Sequence, residues 1–212
     1  MKSLSRICFI TPDDRDVDRV EKILEAALQA GIRCVQFRRK DGVRRQLYHD
    51  ALRLRDLCRR FDAAFIVNDF ADLALAVEAD GLHVGQDDLP LAVARKIMGN
   101  AIIGVSTHTV AEAVEAMKGG ADYIGFGAIY PTATKDVPET TGADAIREIK
   151  AAVSIPVIAI GGITAGNTKD VFMTGCDGIA VCAAISCGDI KANVTAFRKG
   201  LPDMEEVKIK GR

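Results

Sequence analysis

The sequence predicts a (β/α)8 barrel, a closed ring of eight parallel strands with helices outside it, as a single domain over residues 1–212. Apolar runs alternate eight times with segments whose apolar residues recur at helical spacing. The runs are apolar at consecutive positions, as expected for strands with both faces covered. No linker or low-complexity stretch interrupts the series. A doubly wound open sheet is the alternative, but no G-x-G-x-x-G motif follows the first strand.

The predicted strands are the apolar runs that end at polar residues or glycine. Three of them share a local pattern, because Asp80, Asp122 and Asp177 each follow a helix and stand just before a strand. The strands are predicted at Arg6–Thr11, Cys34–Arg38, Ala64–Asp69, Leu82–Gly85, Ile102–Ser106, Tyr123–Ile129, Pro156–Ile160 and Gly178–Cys182.

The predicted helices are identified by the spacing of their apolar residues and by their ends. In the first, Val20, Leu24 and Leu28 lie on one face, and Gly31 is a C-cap. Pro90 marks the first turn of the fourth, where proline is favoured. The helices are predicted at Val17–Ala30, Val43–Phe61, Asp72–Glu78, from about Pro90, and at Val110–Lys118, Ala143–Ala152, Asn167–Met173 and Ile190–Gly200. The charged tail Met204–Arg212 is expected to be loosely held.

The composition excludes several function classes. Hydrophobic residues make up 49% of the chain, charged residues 27%, and the net charge is −1, as in a soluble globular protein without a general affinity for polyanions. The second predicted helix carries six arginines, but interspersed aspartates indicate a solvated outer face. Tryptophan is absent and aromatic residues are few, which disfavours base stacking on nucleic acid. No apolar run is long enough to span a bilayer.

The six cysteines indicate the compartment. They are spread along the chain without a C-x-x-C pair, so they are interpreted as reduced thiols rather than as zinc ligands or a disulfide framework. The N-terminus becomes charged again too early for a signal peptide. We therefore expect a cytoplasmic protein.

Five charged side chains are expected to meet at the carboxyl ends of the strands, where barrels of this kind bind their ligands. The cations are Arg38, Lys40 and Lys135, and the carboxylates are Asp69 and Asp88. Arg38 and Asp69 alone could form a structural ion pair. The full set favours a phosphate group with a bridging Mg²⁺, which binds through one or two carboxylates together with substrate phosphates.

The stretch from Phe126 to Lys135 has the residues of an anion-binding loop. Thr132 and Thr134 provide short hydroxyl donors, and Lys135 provides a mobile positive charge. Gly161 and Gly162 follow the seventh strand and would let a ligand approach the backbone. His83 lies within a strand and His108 starts a helix, so structural roles are favoured for both.

Across nearly its whole length the sequence resembles the thiamine phosphate synthase family, also called thiamine-phosphate pyrophosphorylase. Several long motifs occur in the right order and make the resemblance specific. They are Gln36-Phe-Arg-Arg-Lys40, Asn68-Asp69, Asp80-Gly-Leu-His-Val-Gly-Gln-Asp-Asp-Leu-Pro90, Ile103-Gly-Val-Ser-Thr-His108, Asp122-Tyr-Ile-Gly-Phe-Gly-Ala-Ile-Tyr-Pro-Thr-Ala-Thr-Lys135 and Ile155-Pro-Val-Ile-Ala-Ile-Gly-Gly-Ile163.

The resemblance implies that hydroxymethylpyrimidine diphosphate and hydroxyethylthiazole phosphate are joined into thiamine phosphate, with release of pyrophosphate and with Mg²⁺ as cofactor. It also implies a dissociative order, in which pyrophosphate leaves first. The implied catalytic residues are Ser106, Lys135 and Arg38, and Asp69 and Asp88 are the implied Mg²⁺ ligands. The implied substrate contacts are Gln36 for the pyrimidine, Arg38, Lys40, Asn68 and Lys135 for the diphosphate, Ser106 near the reacting diphosphate, and Thr132, Thr134, Gly162, Cys182 and Ala183 for the thiazole phosphate.

Two positions depart from the family pattern, which often has proline where Ala128 stands and serine where Ala183 stands. The missing hydroxyl puts affinity for the thiazole phosphate in doubt more than activity. A thiazole tautomerase of the same barrel family is the nearest alternative. Tautomerases carry a histidine in the loop after the sixth strand and lack part of the diphosphate-binding set. Here no histidine follows His108, and Gln36, Arg38, Lys40, Asp69 and Asp88 are all present. A non-catalytic thiamine-precursor binding protein is a second alternative. The sequence does not decide between a monomer and a homo-oligomer.

Overall fold

The structure, a computed structural model, describes residues 4–132, 140–202 and 206–207. Eight parallel strands pair in sequence order, and the last pairs with the first to close a barrel. This confirms the predicted (β/α)8 class and excludes the open sheet. The barrel strands are β2 (Ile7–Ile10), β3 (Cys34–Phe37), β4 (Ala64–Asn68), β5 (Gly81–Val84), β6 (Ile102–Thr107), β7 (Tyr123–Phe126), β8 (Val157–Ile160) and β9 (Gly178–Val181).

Helices lie between successive strands. Asp16, Thr109 and Asp189 each cap a helix by accepting a hydrogen bond from a backbone N–H in its first turn. The helices are α1 (Val17–Gln29), α2 (Arg44–Arg60), α3 (Ala71–Ala76), α4 (Leu91–Met98), α5 (Val110–Gly119), α6 (Ala145–Ala152), α7 (Thr168–Met173), α8 (Ala183–Ser186) and α9 (Ile190–Lys199). The short helix α8, which precedes α9, was not predicted.

The strands bury alternate residues in two different cores. Cys8 and Ile10 of β2 belong to the cluster inside the barrel, whereas Ile7 and Phe9 belong to the larger cluster between the barrel and the helices. Side chains on a strand point to opposite faces in turn, so a strand between two apolar layers must be apolar at every position. This explains why the predicted strands are apolar at consecutive positions and not at every second one.

The repeated aspartates secure the amino ends of the barrel strands. Oδ2 of Asp80 accepts a hydrogen bond from the N–H of Phe65 at 2.8 Å. Asp122 does the same for Ile103 at 2.8 Å, and Asp177 for Val157 at 2.7 Å. Each carboxylate therefore satisfies a backbone donor near the start of the neighbouring strand.

A second, two-stranded sheet joins the ends of the chain. Leu4 and Ser5 (β1) pair antiparallel with Glu206 and Val207 (β10). Leu4 and Val207 are buried in the cluster inside the barrel. Part of the tail is thus tied down, a contact that the sequence did not predict. Within the described part of the chain, no helix has the length and apolar character needed to cross a membrane.

Candidate active site

The carboxyl ends of β4 and β5 bring two aspartates together. Asp69 directly follows β4 with a φ of 65°, a left-handed conformation that residues other than glycine adopt rarely, aspartate more readily than most. Its N–H donates to the carbonyl oxygen of His83 at 2.8 Å, which fixes it against β5. Asp88 lies in the loop after β5, where its Oδ2 accepts a hydrogen bond from the N–H of Gly85 at 2.6 Å.

The carboxyl group of Asp69 lies within hydrogen-bonding reach of that of Asp88. Burial and this neighbouring carboxyl raise the pKa of Asp69 from 3.8 to about 7, while Arg38 and Lys40 act in the opposite direction. Two adjacent carboxyls are costly to ionise together without a cation. Arg38, Lys40 and Asp88 all lie close enough to change the pKa of Asp69, so the four side chains form one electrostatic cluster.

Arg38 extends from the end of β3 and remains available to a ligand. Its N–H donates to Oγ1 of Thr11 at 3.0 Å, so the backbone is held. Among the described residues its recorded ion-pair partner is Asp13, with Nη1 and Oδ2 3.8 Å apart, near the limit for such a contact. A structural ion pair with Asp69 is therefore not what holds this guanidinium. Lys40 is exposed at the same rim.

Arg39, between these two cations, has a different role. Its Nη1 lies 2.5 Å from Oδ2 of Asp50 on α2, and both side chains are almost completely buried. Nε2 of Gln46 donates to the other oxygen of Asp50 at 2.7 Å. The interpretation of the α2 charges as a solvated outer face is wrong for Asp50, because this buried pair anchors the segment that carries Arg38 and Lys40.

A chain of polar side chains runs through the barrel interior below the acidic pair. Ser106 Oγ lies 2.9 Å from Nε2 of His83, whose Nδ1 lies 3.0 Å from the hydroxyl of Tyr123. The side chain of Gln36 lies within hydrogen-bonding reach of Tyr123 in turn. Gln36, His83 and Tyr123 are buried and Ser106 is half-buried. Gln36 and Ser106, predicted to contact opposite parts of the substrate, are thus connected through His83 and Tyr123, for which no substrate contact was predicted.

Two glycines make room for this chain. A Cβ atom on Gly104 would lie 2.1 Å from the Tyr123 ring, and one on Gly125 would lie 3.2 Å from Cε1 of His83. Glycine at these strand positions indicates the close approach of a large side chain. Gly104 was therefore the feature of the sequence that could have indicated a large side chain, that of Tyr123, packed inside the barrel.

His108 has a structural contact. Its Nδ1 donates to the carbonyl oxygen of Gly127 at 2.6 Å, in keeping with the structural role predicted for it.

The loops after β7 and β8 lie against each other at the rim of the barrel. The N–H of Tyr130 donates to the carbonyl of Gly161 at 3.1 Å. A Cβ on Gly162 would lie 2.5 Å from the carbonyl oxygen of Pro131, so only glycine fits there. This contact places Gly162 beside Pro131 and its neighbour Thr132, which is half-buried.

The remaining predicted contacts are distributed as follows. Asn68 is half-buried at the end of β4, and Cys182 is the N-cap residue before Ala183, the exposed first residue of α8. Burial raises the pKa of the Cys182 thiol, and Arg38 lies close enough to oppose that shift. Thr134 and Lys135 lie outside the described residues.

The described residues hold no group of three or more histidine, cysteine or acidic side chains able to bind a metal. An all-protein metal cage is therefore not present in this part of the chain. Two adjacent carboxylates nevertheless match the way Mg²⁺ binds, because this ion commonly takes one or two carboxylates and completes its shell with water and substrate phosphates.

Comparison with known proteins gives one consistent result. The family model described as thiamine monophosphate synthase matches residues 7–185. A thiamine-phosphate synthase from Chloroflexus aurantiacus is 49% identical over 180 residues, which cover 84% of this chain and 82% of that protein. One from Pyrococcus furiosus is 42% identical over 90% of this chain and 92% of its own length.

Solved structures agree with the sequence relatives. The thiamine phosphate pyrophosphorylase structure from Pyrococcus furiosus superposes with a TM-score of 0.84 at 40% identity and covers 92% of this chain and 94% of its own. A 3-hexulose-6-phosphate synthase at 14% identity and a TM-score of 0.72 shares the fold alone. With both the family model and curated relatives in agreement over most of its length, the chain belongs to the thiamine monophosphate synthase family.

Proposed function

We propose that the chain joins hydroxymethylpyrimidine diphosphate to hydroxyethylthiazole phosphate, giving thiamine phosphate and pyrophosphate. The observation that carries the proposal is the cluster of Asp69, Asp88, Arg38 and Lys40 at one rim of the barrel. Such a set suits a diphosphate, which needs positive charge around its oxygens and a cation between itself and the carboxylates. The names of the curated relatives support the same reaction.

Asp69 and Asp88 are the proposed ligands of Mg²⁺. The neighbouring carboxyl of Asp88 raises the pKa of Asp69, and the charge of a bound divalent cation would offset the repulsion between the two carboxylates. When bound, Mg²⁺ would supply positive charge to the diphosphate oxygens and stabilise the leaving pyrophosphate. The donor set of this chain fits that role.

Arg38, Lys40, Asn68 and Lys135 are proposed to hold the diphosphate. Arg38 offers a planar donor set with a weak competing ion pair, and Lys40 is exposed beside it. Lys135 would add charge from the loop after β7. These donors stabilise the charge that develops on pyrophosphate as the carbon–oxygen bond breaks, which lowers the barrier to its departure.

Gln36 is proposed to contact the pyrimidine, and Ser106 to lie near the reacting diphosphate, both from the floor of the site. Ser106 is positioned by His83 and Tyr123, and Gln36 lies beside the same Tyr123 hydroxyl. The aminopyrimidine ring can delocalise the positive charge left on its methylene carbon when pyrophosphate departs. The thiazole nitrogen then attacks this carbon, so no side-chain nucleophile is needed and positioning carries much of the catalysis.

The thiazole phosphate is assigned to the neighbouring part of the rim. Thr132 and Thr134 would donate hydroxyl groups, and the backbone at Gly162, Cys182 and Ala183 would donate N–H groups. The contact between Gly162 and Pro131 supports this grouping, because it brings the loops after β7 and β8 side by side. Ala183 would contribute only its backbone.

A cytoplasmic location and small-molecule substrates complete the proposal. All six cysteines are free thiols, as expected in a reducing compartment. A homo-oligomer is compatible with the proposed site, because each residue assigned to it comes from this chain.

The test is to incubate the purified chain with both substrates and Mg²⁺ and to measure thiamine phosphate and pyrophosphate. Equal amounts of the two products, dependent on both substrates, are expected. Turnover of a thiazole carboxylate phosphate alone would instead indicate the tautomerase. Tight binding of both substrates without either reaction would indicate a non-catalytic binding protein.

A further inference from the structure

Two cysteines face each other inside the barrel, away from the rim. Cys8 of β2 and Cys34 of β3 are register partners on neighbouring parallel strands, whose backbones lie about 4.8 Å apart. Both belong to the side-chain cluster that fills the barrel interior, so both side chains point inward. The fold thus creates a pair of adjacent thiols from residues 26 positions apart in the sequence.

The two thiols are neighbours in a buried environment. The Cys34 thiol lies close enough to that of Cys8 to interact with it, and the two residues are only 1% and 8% exposed. The adjacent Cys8 thiol and burial raise the pKa of the Cys34 thiol well above its ordinary value. Reagents that react only with a thiolate are therefore disfavoured at this position.

The pair also borders an internal cavity. Its lining extends from Ser5 at one end of the barrel to Ser106 at the other, and it includes both thiols together with Gln36 and Tyr123. Most of the lining is apolar, so an added group that carried a net charge would be costly to bury. A suitable ligand is small, enters uncharged and leaves the thiols bridged in a neutral product.

We propose that Cys8 and Cys34 form a binding site for a trivalent arsenic oxyacid, with arsenous acid as the ligand. Arsenous acid is neutral near pH 7 and reacts with thiols without a change of oxidation state. Two arsenic–oxygen bonds break, two arsenic–sulfur bonds form, and the two thiol protons leave with the two hydroxyl groups as water. The product keeps one hydroxyl on arsenic and has no net charge.

The geometry distinguishes this ligand from other thiol-seeking groups. Trivalent arsenic is pyramidal and holds its sulfur atoms close together, as suits two inward-facing thiols on register-paired strands. A linear two-coordinate ion such as Hg²⁺ needs them further apart. Zn²⁺ requires about four ligands, and among the described residues no group of three such ligands occurs. A disulfide would need an external oxidant.

The binding experiment uses sodium arsenite and the full chain. Native mass spectrometry is expected to show one arsenic per chain with the loss of two water molecules, and arsenic X-ray absorption is expected to show two sulfur neighbours and one oxygen. Bound arsenic should also raise the melting temperature, since the folded chain holds the two thiols side by side and should bind arsenic more tightly than the separated thiols of the unfolded chain. These readouts do not depend on catalysis, so they remain decisive if the proposed function fails.

Single substitutions locate the site. Cys8→Ala and Cys34→Ala should each abolish the adduct, whereas Cys176→Ala, which removes another buried thiol, and Cys187→Ala, which removes an exposed one, should retain it. Circular dichroism checks that the variants fold. If Cys8→Ala or Cys34→Ala does not fold, the number of sulfur neighbours measured by arsenic X-ray absorption on the unmodified chain is the deciding result. An adduct that survives both barrel substitutions, or arsenic with one or three sulfur neighbours, would overturn the proposal.

Discussion

The carboxyl group of Asp69 lies within hydrogen-bonding reach of that of Asp88 at the carboxyl end of the barrel. Backbone hydrogen bonds to His83 and from Gly85 hold the two residues in place. The left-handed backbone of Asp69 adds to the constraint. The fold therefore imposes a contact that is unfavourable once both groups are ionised, as expected of a site prepared for a cation.

The first prediction concerns stability without Mg²⁺. The pKa of Asp69 is about 7 in the folded chain and near 3.8 in the unfolded chain. As pH rises between these two values, the contribution of Asp69 to the free energy of unfolding therefore falls. Asp69→Asn removes this effect and should stabilise the metal-free chain by about 1 kcal/mol near pH 8, and by much less near pH 5. The figure allows for the partial exposure of Asp69.

Urea unfolding of both proteins at the two pH values measures the effect. The exposed Asp170→Asn is the matched control and should show no such pH dependence. An equal stability difference at both values would show that Asp69 does not retain its proton in the folded chain.

The second prediction concerns the metal. Asp69→Ala should lower the rate of pyrophosphate release by about 100-fold or more, because Mg²⁺ loses one of its two carboxylate ligands. Raising the Mg²⁺ concentration should restore part of the loss. An unchanged rate with unchanged Mg²⁺ dependence would remove Asp69 from the site.

The third prediction concerns Arg38. Arg38→Gln should lower kcat/KM for the pyrimidine diphosphate by about 100-fold, because a charge-assisted donor to the leaving group is lost. Arg60→Gln removes an exposed arginine on α2 and should leave kcat/KM unchanged. Steady-state kinetics on both variants make the comparison, and equal losses would point to a general effect of charge.

The fourth prediction concerns the polar chain inside the barrel. Tyr123→Phe should lower kcat by about tenfold with little change in KM, because His83 loses the hydroxyl 3.0 Å from Nδ1 and no longer fixes Ser106. Loss of stability with unchanged kcat would indicate a purely structural role.

The fifth prediction separates the two halves of the rim. Thr132→Val keeps the shape of the side chain but removes its hydroxyl, so KM for the thiazole phosphate should rise by about tenfold. KM for the pyrimidine diphosphate should change little. Equal increases in the two values would contradict the assignment of Thr132 to the thiazole side.

The fold was predictable because a barrel strand is apolar on both faces, and few architectures require eight such strands. The convergence of Asp69 and Asp88 also followed from sequence, since both come after strands whose carboxyl ends share one rim. The small sheet of Leu4–Ser5 with Glu206–Val207 was not predictable. Two-residue strands are too short to show a period, and their pairing depends on where the chain ends meet.

Side-chain partners inside the barrel were harder to predict than strand positions. His83 was assigned a structural role because the sequence does not show that its ring reaches Ser106 on β6 and Tyr123 on β7. Asp50 was placed on a solvated face because its partner Arg39 lies in a loop, not on the same helix. Both relationships depend on three-dimensional packing between elements distant in sequence.

The proposed site is tested most directly by a crystal structure of the chain with thiamine phosphate, pyrophosphate and Mg²⁺. Density for pyrophosphate is expected beside Arg38 and Lys40, with Mg²⁺ between it and the carboxylates of Asp69 and Asp88. The phosphate of thiamine phosphate is expected beside Thr132 and Gly162. Pyrophosphate bound away from Asp69 and Asp88, or a metal that contacts neither carboxylate, would contradict the proposed site.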